Sequence, residues 1–477
     1  MQSLKKCRTQ LLIAAAVALM PALPASAQNA DAAKVQQLQD AVDSLASQVA
    51  DLKRQNADKY AALANYNTNA AKISLANGRP TFTSGDGAFT ASFRVLTQAD
   101  LAYYGQSPGL GGADLSSGFN FRRARFGIEG KLFNDWSYNF TGEFGASGTE
   151  ASSISQASIQ YDGAAPFYAR IGIFSPSAGL EDSTPASDLL FLERAQPTDV
   201  YRSTAAADGR AAIQLFQYTN NFYISAAYTG GASNDAVVFD EQQAIVGYAA
   251  YRLYTDADIN FVISGTGTHV FKVADATAGG PASSSVFRFR ERPELNVDGT
   301  RLIDTGTITA GSAWTYGFEA AANYQSMYLQ GGYFGFGIDR RASVQPNPDF
   351  DGWYAQASWA LTGETRAYTP ARGAFAAIRP AKPFSLADGT WGAWELAARY
   401  SVQDLNYNAG NLGTVAAASA VRGGNEKIWT AGLNWYPNNA LRFQLDYQHT
   451  DVDRLNNAGG SIGGKIDAVS LRAQLSL

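Results

Sequence analysis

The chain has little cysteine and little histidine: its 477 residues hold one cysteine, Cys7, and two histidines, His269 and His449. A single thiol excludes a disulfide framework and a thiolate metal site. Two histidines far apart in the chain leave no histidine-rich metal centre and few ways to build a serine–histidine hydrolase. Charge is scarce too. Asp, Glu, Lys and Arg make up 17% of the residues, against about 25% in soluble domains, yet a mean hydropathy of -0.18 excludes a bundle of membrane helices. The longest apolar run, Leu11–Met20, is too short to cross a bilayer as a helix, which takes about 20 residues.

That run follows Lys5, Lys6 and Arg8 and leads to Ala25-Ser26-Ala27, the pattern of a secretory signal peptide over residues 1–27. Cys7 precedes the run, is misplaced for lipidation and leaves with the signal. Removing the segment takes away three basic residues and no acid, so the mature net charge is -8. Any anion site must then be a local arrangement.

After the signal, Val35, Leu38, Val42, Leu45, Val49 and Leu52 recur at alternating spacings of three and four, which predicts a coiled-coil helix over residues 28–59. A helix with so narrow an apolar seam buries little unless it pairs with copies of itself. Val alternating with Leu leans toward two strands. Residues 60–87, rich in Asn, Thr, Ala and Gly, read as a linker.

From residue 88 the period becomes two. Phe89, Phe93, Val95, Leu101 and Tyr103 alternate with Thr90, Arg94, Gln98, Asp100 and Tyr104, and Phe222, Ile224, Ala226 and Tyr228 alternate with Tyr223, Ser225 and Ala227. One face is apolar and the other wet. Several such segments exceed ten residues, longer than the five or six usual in soluble sheets. Aromatics such as Trp136, Trp391, Trp394 and Trp435 stand at segment ends, as in the girdles of membrane barrels. The fold class is all-β, a transmembrane antiparallel β-barrel over residues 88–477. Sixteen or seventeen candidate strands separated by alternating short turns and long loops favour sixteen, because bacterial barrels use even numbers. A barrel of that size holds an aqueous channel.

Of the 37 basic residues 26 are arginine, whose planar fork matches phosphate or carboxylate and stays charged at any relevant pH. The alternation puts Arg94, Arg123, Arg125, Arg170 and Arg210 on polar strand faces, and sets Arg288 and Arg290 against Phe287 and Phe289. Inward acids such as Asp100, Glu129 and Glu143 could pair with them and give the transverse field of a general porin.

Motifs for catalysis fail on inspection. Gly459-Gly460-Ser461-Ile462-Gly463 spells a nucleophile elbow, but no strand-to-helix turn and no later histidine accompany it. Gly459–Lys465 has the spacing of a phosphate-binding loop, but Ile466 stands where Ser or Thr must bind magnesium. No catalytic residue, metal ligand or cofactor is expected, and no nucleic-acid partner.

Specific segments do resemble a known family. They are Gly118-Phe119-Asn120-Phe121-Arg122-Arg123-Ala124-Arg125-Phe126-Gly127-Ile128-Glu129-Gly130, Ile171–Phe174 followed by Phe191-Leu192-Glu193-Arg194, Asp304-Thr305-Gly306, Leu361–Arg366, Trp391–Tyr400 and Gly432–Pro437. In this order the chain resembles the phosphate-selective porin O and P family over most of residues 118–477. The resemblance implies an outer-membrane barrel, usually a trimer, whose inward-folded third loop narrows each channel, with outer-membrane lipid and small anions such as phosphate as partners. Residues 175–207 match that loop and carry Ser175, Glu193, Arg194 and Arg202. The arginine pair matching Arg122 and Arg123 would hold the anion near the waist. Two features depart from the family: Ser175 stands where a lysine is common, and the chain ends in Leu477 where an aromatic is usual. Within the loop the acids Glu181, Asp182, Asp188, Glu193 and Asp199 outnumber Arg194 and Arg202. Those acids would either line the pore or hold the loop to an arginine wall.

The expectation is a passive anion-favouring channel. The alternatives are a general porin of weak selectivity, or an envelope anchor tethered through the N-terminal coil, which would lie in the periplasm.

Overall fold

The computed structural model describes residues 25–75, 78–145, 153–207, 209–233, 240–256, 258–275 and 285–477. Most of the expected signal segment, residues 1–27, lies outside them. Two units divide the chain at residues 70 and 71.

The first unit is a single helix, α1 (Ala25–Asn69), about 67 Å long at 1.5 Å per residue. It outruns the coil expected from the seam, because Ala61-Ala62-Leu63-Ala64 are strong helix formers and nothing breaks the run. The six seam residues Val35 to Leu52 are between 47% and 66% exposed. The remainder of the segment read as linker is also structured, with Lys72–Ser74 paired to Thr81–Thr83.

The second unit is a closed antiparallel barrel of sixteen strands. They are β1 (Thr90–Gln106), β2 (Gly118–Leu132), β3 (Trp136–Glu143), β4 (Ser153–Ala164), β5 (Phe167–Phe174), β6 (Arg210–Tyr218), β7 (Phe222–Ala232) and β8 (Gln243–Thr255). There follow β9 (Ile259–Lys272), β10 (Ile308–Tyr324), β11 (Met327–Arg340), β12 (Asp349–Ala360), β13 (Ala393–Tyr407), β14 (Val421–Tyr436), β15 (Leu441–Asp453) and β16 (Gly464–Ser476). Each pairs with its chain neighbours, and β16 pairs with β1 from Ile466 opposite Gln106 to Ser476 opposite Leu96. Closure leaves no unpaired edge, which a hydrocarbon environment requires.

The outer wall carries Leu101, Phe119, Phe140, Ile171, Leu215, Phe318 and Leu471, all exposed, while Gln98, Asp100, Gln214, Arg399 and Arg472 face inward and are buried. Trp394 stacks on Trp435 at 5.5 Å at the turn end of β13 and β14, and Tyr400 meets Trp429 at 4.2 Å midway along the same strands.

The interior is largely filled by three segments that fold inward. The first, residues 175–209 between β5 and β6, contains α2 (Gln196–Ala205), whose Tyr201 hydroxyl meets Thr266 and Thr268 of β9 at 2.6 and 2.9 Å. The second runs between β9 and β10. From it Glu294 accepts hydrogen bonds from the Gln196 N–H of the first segment and from Ser401 of β13. The third, residues 361–392 between β12 and β13, enters from the end where the other connections are tight turns. Its Arg366 pairs with Glu395 at 2.7 Å, and its Gly373 carbonyl accepts the Tyr248 hydroxyl. The first and third segments meet inside the barrel, where Thr184 donates to the Phe375 carbonyl.

Arg288 and Arg290 therefore do not stand on a barrel strand. They lie in the second inward segment, where Phe287 and Phe289 are buried and Phe289 packs on Phe336 and Phe350. Arg288 pairs with Asp304, and Arg290 lies in a two-residue ladder with Asp304. Their alternation is too short to make a strand, and burial of the two rings folds the segment inward instead.

Candidate pore lining and constriction

The two adjacent arginines of β2 both face the lumen because of a β-bulge. Gln98 of β1 lies opposite Arg123 and Ala99 opposite Phe121, so Arg122 is an extra residue. Before the bulge the odd positions Phe119 and Phe121 face outward; after it the even position Phe126 does. One inserted residue re-aims the strand.

Both arginines are held by the first inward segment. Arg122 makes a two-pronged contact with Glu193 at 2.8 and 3.2 Å, and Arg123 approaches the same carboxylate at 3.6 Å while donating to Gln98 at 2.7 Å. A third arginine, Arg472 of β16, reaches Glu193 at 3.0 Å and pairs with Asp100 at 2.6 Å through both prongs. Arg123 is 3% exposed, Glu193 4% and Arg472 0%. Burial alone would raise the Glu193 carboxyl, but Arg122, Arg123 and Arg472 together hold it well below its ordinary range. The cluster latches the loop to the wall. The alternation places Arg472 on the polar face of the last strand, but nothing local shows that it reaches Glu193.

Other loop residues also face inward to structure. Ser175 donates to the Ala206 carbonyl and closes the base of the loop. Arg194 donates to the carbonyls of Glu181, Asp182 and Thr184, and Arg202 pairs with Asp182 at 2.6 Å. Arg210, at the start of β6, donates to Gly230 and to Ser203 of the loop. The carboxyl of Glu181 accepts from the Ala195 N–H and lies 3.7 Å from Arg399. Burial pushes it up to about 7 despite that arginine.

Glu181 and Glu193 therefore oppose each other in pH. Glu181 binds its proton more tightly folded than unfolded, so its contribution is full below about 4.5 and is lost as the pH rises through about 7. Glu193 does the reverse: its contribution is present above 4.5 and is lost as acid protonates it. The barrel is expected to resist thermal unfolding in detergent less at pH 8 than at pH 5.5. Glu181→Gln should flatten that slope; an unchanged slope would rule out Glu181 as its source.

What stays open is a cavity of about 600 Å³ between the outer edge of the loop and β1–β5. Seven basic side chains line it, Arg94, Arg125, Lys131, Arg170, Arg194, Arg202 and Arg372, against two acids, Glu129 and Asp182. A second recess of about 420 Å³ shares Arg94, Arg372 and Glu129 with it and adds Arg79, Arg379 and Arg442 against Asp188. Arg125 pairs with Glu143 at 2.6 Å and Arg94 with Glu129 at 3.1 Å. Arg170 bonds Gln160 and lies over the rings of Phe174 and Phe216. Among the described residues no carboxylate, carbonyl or amide holds the guanidinium of Arg372 or Arg379. Of the arginines expected at the pore, Arg94, Arg125 and Arg170 thus share one cavity, Arg122 and Arg123 sit in the latch, and Arg210 lines neither cavity; Arg372, which was not among them, comes from the segment between β12 and β13.

The family model for phosphate-selective porin O and P matches residues 97–477. The chain is 28% identical over 382 residues to an uncharacterized protein of Caulobacter vibrioides, covering 78% of this chain and 70% of that one. It is 23% identical over 361 residues to Porin O of Pseudomonas aeruginosa, covering 72% and 79%. Among solved structures it is similar to an anion-selective porin from Comamonas acidovorans, with a TM-score of 0.49, 11% identity, and 82% and 100% of the two chains covered. It is also similar to the outer membrane channel DcaP of Acinetobacter baumannii, with a TM-score of 0.44, 10% identity, and 83% and 99% covered.

Proposed function

The chain belongs to the phosphate-selective porin O and P family and is an outer-membrane porin, and from that premise we propose that it passes small anions, phosphate among them, in preference to cations. The observation that carries this reading is the lining of the open recess. Ten basic side chains face three acidic ones, in a mature chain whose net charge is -8. A cleft of one sign between low-dielectric walls concentrates counter-ions, and no energy source is needed for diffusion through it.

In this reading Arg94, Arg125, Arg170, Arg202 and Arg372 attract the solute. Arg122 and Arg123 set the width of the waist by holding the loop. Helix α1 lies in the periplasm and associates with copies of itself through the Val35–Leu52 seam; the family, rather than the two-strand lean of that seam, supports a homotrimer of barrels inserted in outer-membrane lipid. Because Ser175 replaces a basic group at the loop base, phosphate is expected to bind loosely.

Planar-bilayer recording in a potassium chloride gradient tests the reading. The expected reversal potential favours chloride, and millimolar phosphate is expected to reduce the chloride current. A reversal potential that favours potassium would sink the anion preference and leave a general porin. Absence of channels would favour an anchor.

A further inference from the structure

The segment that joins α1 to the barrel places a charge in the channel. Thr81–Thr83 pairs with Thr90–Ser92 at the start of β1, Thr81 and Ser92 sharing a hydroxyl contact at 2.8 Å. Arg79, just before this ladder, donates from Nε to the Phe93 carbonyl at 2.7 Å and meets Glu129 of β2 at 2.5 Å. The same carboxylate also pairs with Arg94 at 3.1 Å and accepts from Asn139 at 3.0 Å. Arg79, Glu129 and Arg94 keep 28%, 31% and 37% of the side chain in the open, and all three line the second recess. The family match begins only at residue 97, so Arg79 and Arg94 lie in the stretch that precedes it.

We propose that Arg79 is a selectivity-determining residue of the channel, acting by neutralising Glu129 and so leaving the field of Arg94 directed into the recess. The trio carries a net charge of +1. Without Arg79, Glu129 and Arg94 cancel each other, and of the basic side chains shared by the two cavities only Arg372 keeps an uncompensated charge. The segment following the helix is then part of the pore, and whatever shifts it changes which ions pass. This inference rests on the anion-preferring reading above for its sign.

Four full-length proteins test it in potassium chloride gradients: wild type, Arg79→Gln, Glu129→Gln and the double variant. One unit charge beside the ion path changes the ratio of chloride to potassium permeability by about threefold. Arg79→Gln should lower the ratio by that factor and Glu129→Gln should raise it. The double variant restores the trio's charge of +1 and should return to the wild-type value. Glu129→Gln keeps the Arg79 seam contact to Phe93, so it reads the charge even where loss of Arg79 disturbs the ladder. Equal ratios for wild type and Arg79→Gln, a double variant no different from Arg79→Gln, or no rise in Glu129→Gln would each overturn the proposal. A potassium-selective wild type would defeat the anion reading alone, since the order of the four ratios still decides the role of Arg79.

Discussion

Replacing Glu193 by alanine is expected to release the constriction loop and to lower the unfolding free energy of the barrel by about 3–5 kcal/mol, the cost of leaving a buried charge without its partner. Three arginines share this one carboxylate: Arg122 at 2.8 Å, Arg472 at 3.0 Å and Arg123 at 3.6 Å. After the substitution the three lose the carboxylate they share, and Asp100 is already committed to Arg472. Guanidinium cannot shed its proton to escape burial. The strain is relieved only if the loop lifts and water enters.

Single-channel recording should therefore show a larger and noisier conductance in Glu193→Ala, and limited proteolysis should cut within residues 175–209 where the wild type resists. Glu193→Gln keeps the shape and removes the charge, so it should show the loss of stability with less gain in conductance. A variant that unfolds and conducts like the wild type would show that the remaining contacts hold the loop unaided. Those contacts include Arg399 to the Glu193 carbonyl, Arg442 to Leu190, Gln98 to Ala186 and Tyr201 to Thr266.

The barrel was legible because its physics is written along each strand. Lipid on one side and water on the other impose period two, and strands such as Thr90–Gln106 are long enough to display it. The bulge was written there too. Aromatic positions switch from odd at Phe119 and Phe121 to even at Phe126, and that switch is the reason a pair of neighbouring arginines can share one face.

Beyond residues 175–207, which the family resemblance pointed to, the loops that fold inward were not legible. Loop direction is decided by partners supplied from distant strands, as when Glu395 of β13 receives Arg366 and Tyr248 of β8 receives Gly373. No periodic pattern marks residues 361–392 as entering the barrel, and Arg288-Phe289-Arg290 imitated a strand for three residues. Arg79 lay in a stretch whose composition resembles a linker, and only its pairing beside β1 shows that it enters the recess. The side chains that make the latch were visible as types, whereas their convergence on Glu193 depends on a register that no local pattern encodes.

Replacing both Arg94 and Arg372 by glutamine is expected to reduce the preference for chloride over potassium by about tenfold, taking about threefold for each charge removed beside the ion path. These two are chosen because both cavities include them, so every ion that crosses the junction passes their field. Arg372 is the cleaner half of the pair. No acid or carbonyl among the described residues holds its guanidinium, so its loss leaves no buried group stranded and the barrel should melt as the wild type does. Arg94→Gln leaves Glu129 with Arg79 and Asn139 as partners, a neutral remainder. Measured reversal potentials at low and high salt check both the sign and the origin, because screening at about 1 M salt shortens the reach of each charge to about 3 Å. The contrast is with Arg122→Ala combined with Arg123→Ala, which removes as much positive charge from the latch. That pair should cost stability and loosen the waist while shifting the reversal potential less. If the latch pair moved selectivity more than Arg94 and Arg372 did, the solute would be held at the bulge of β2, and the recess would be only its antechamber.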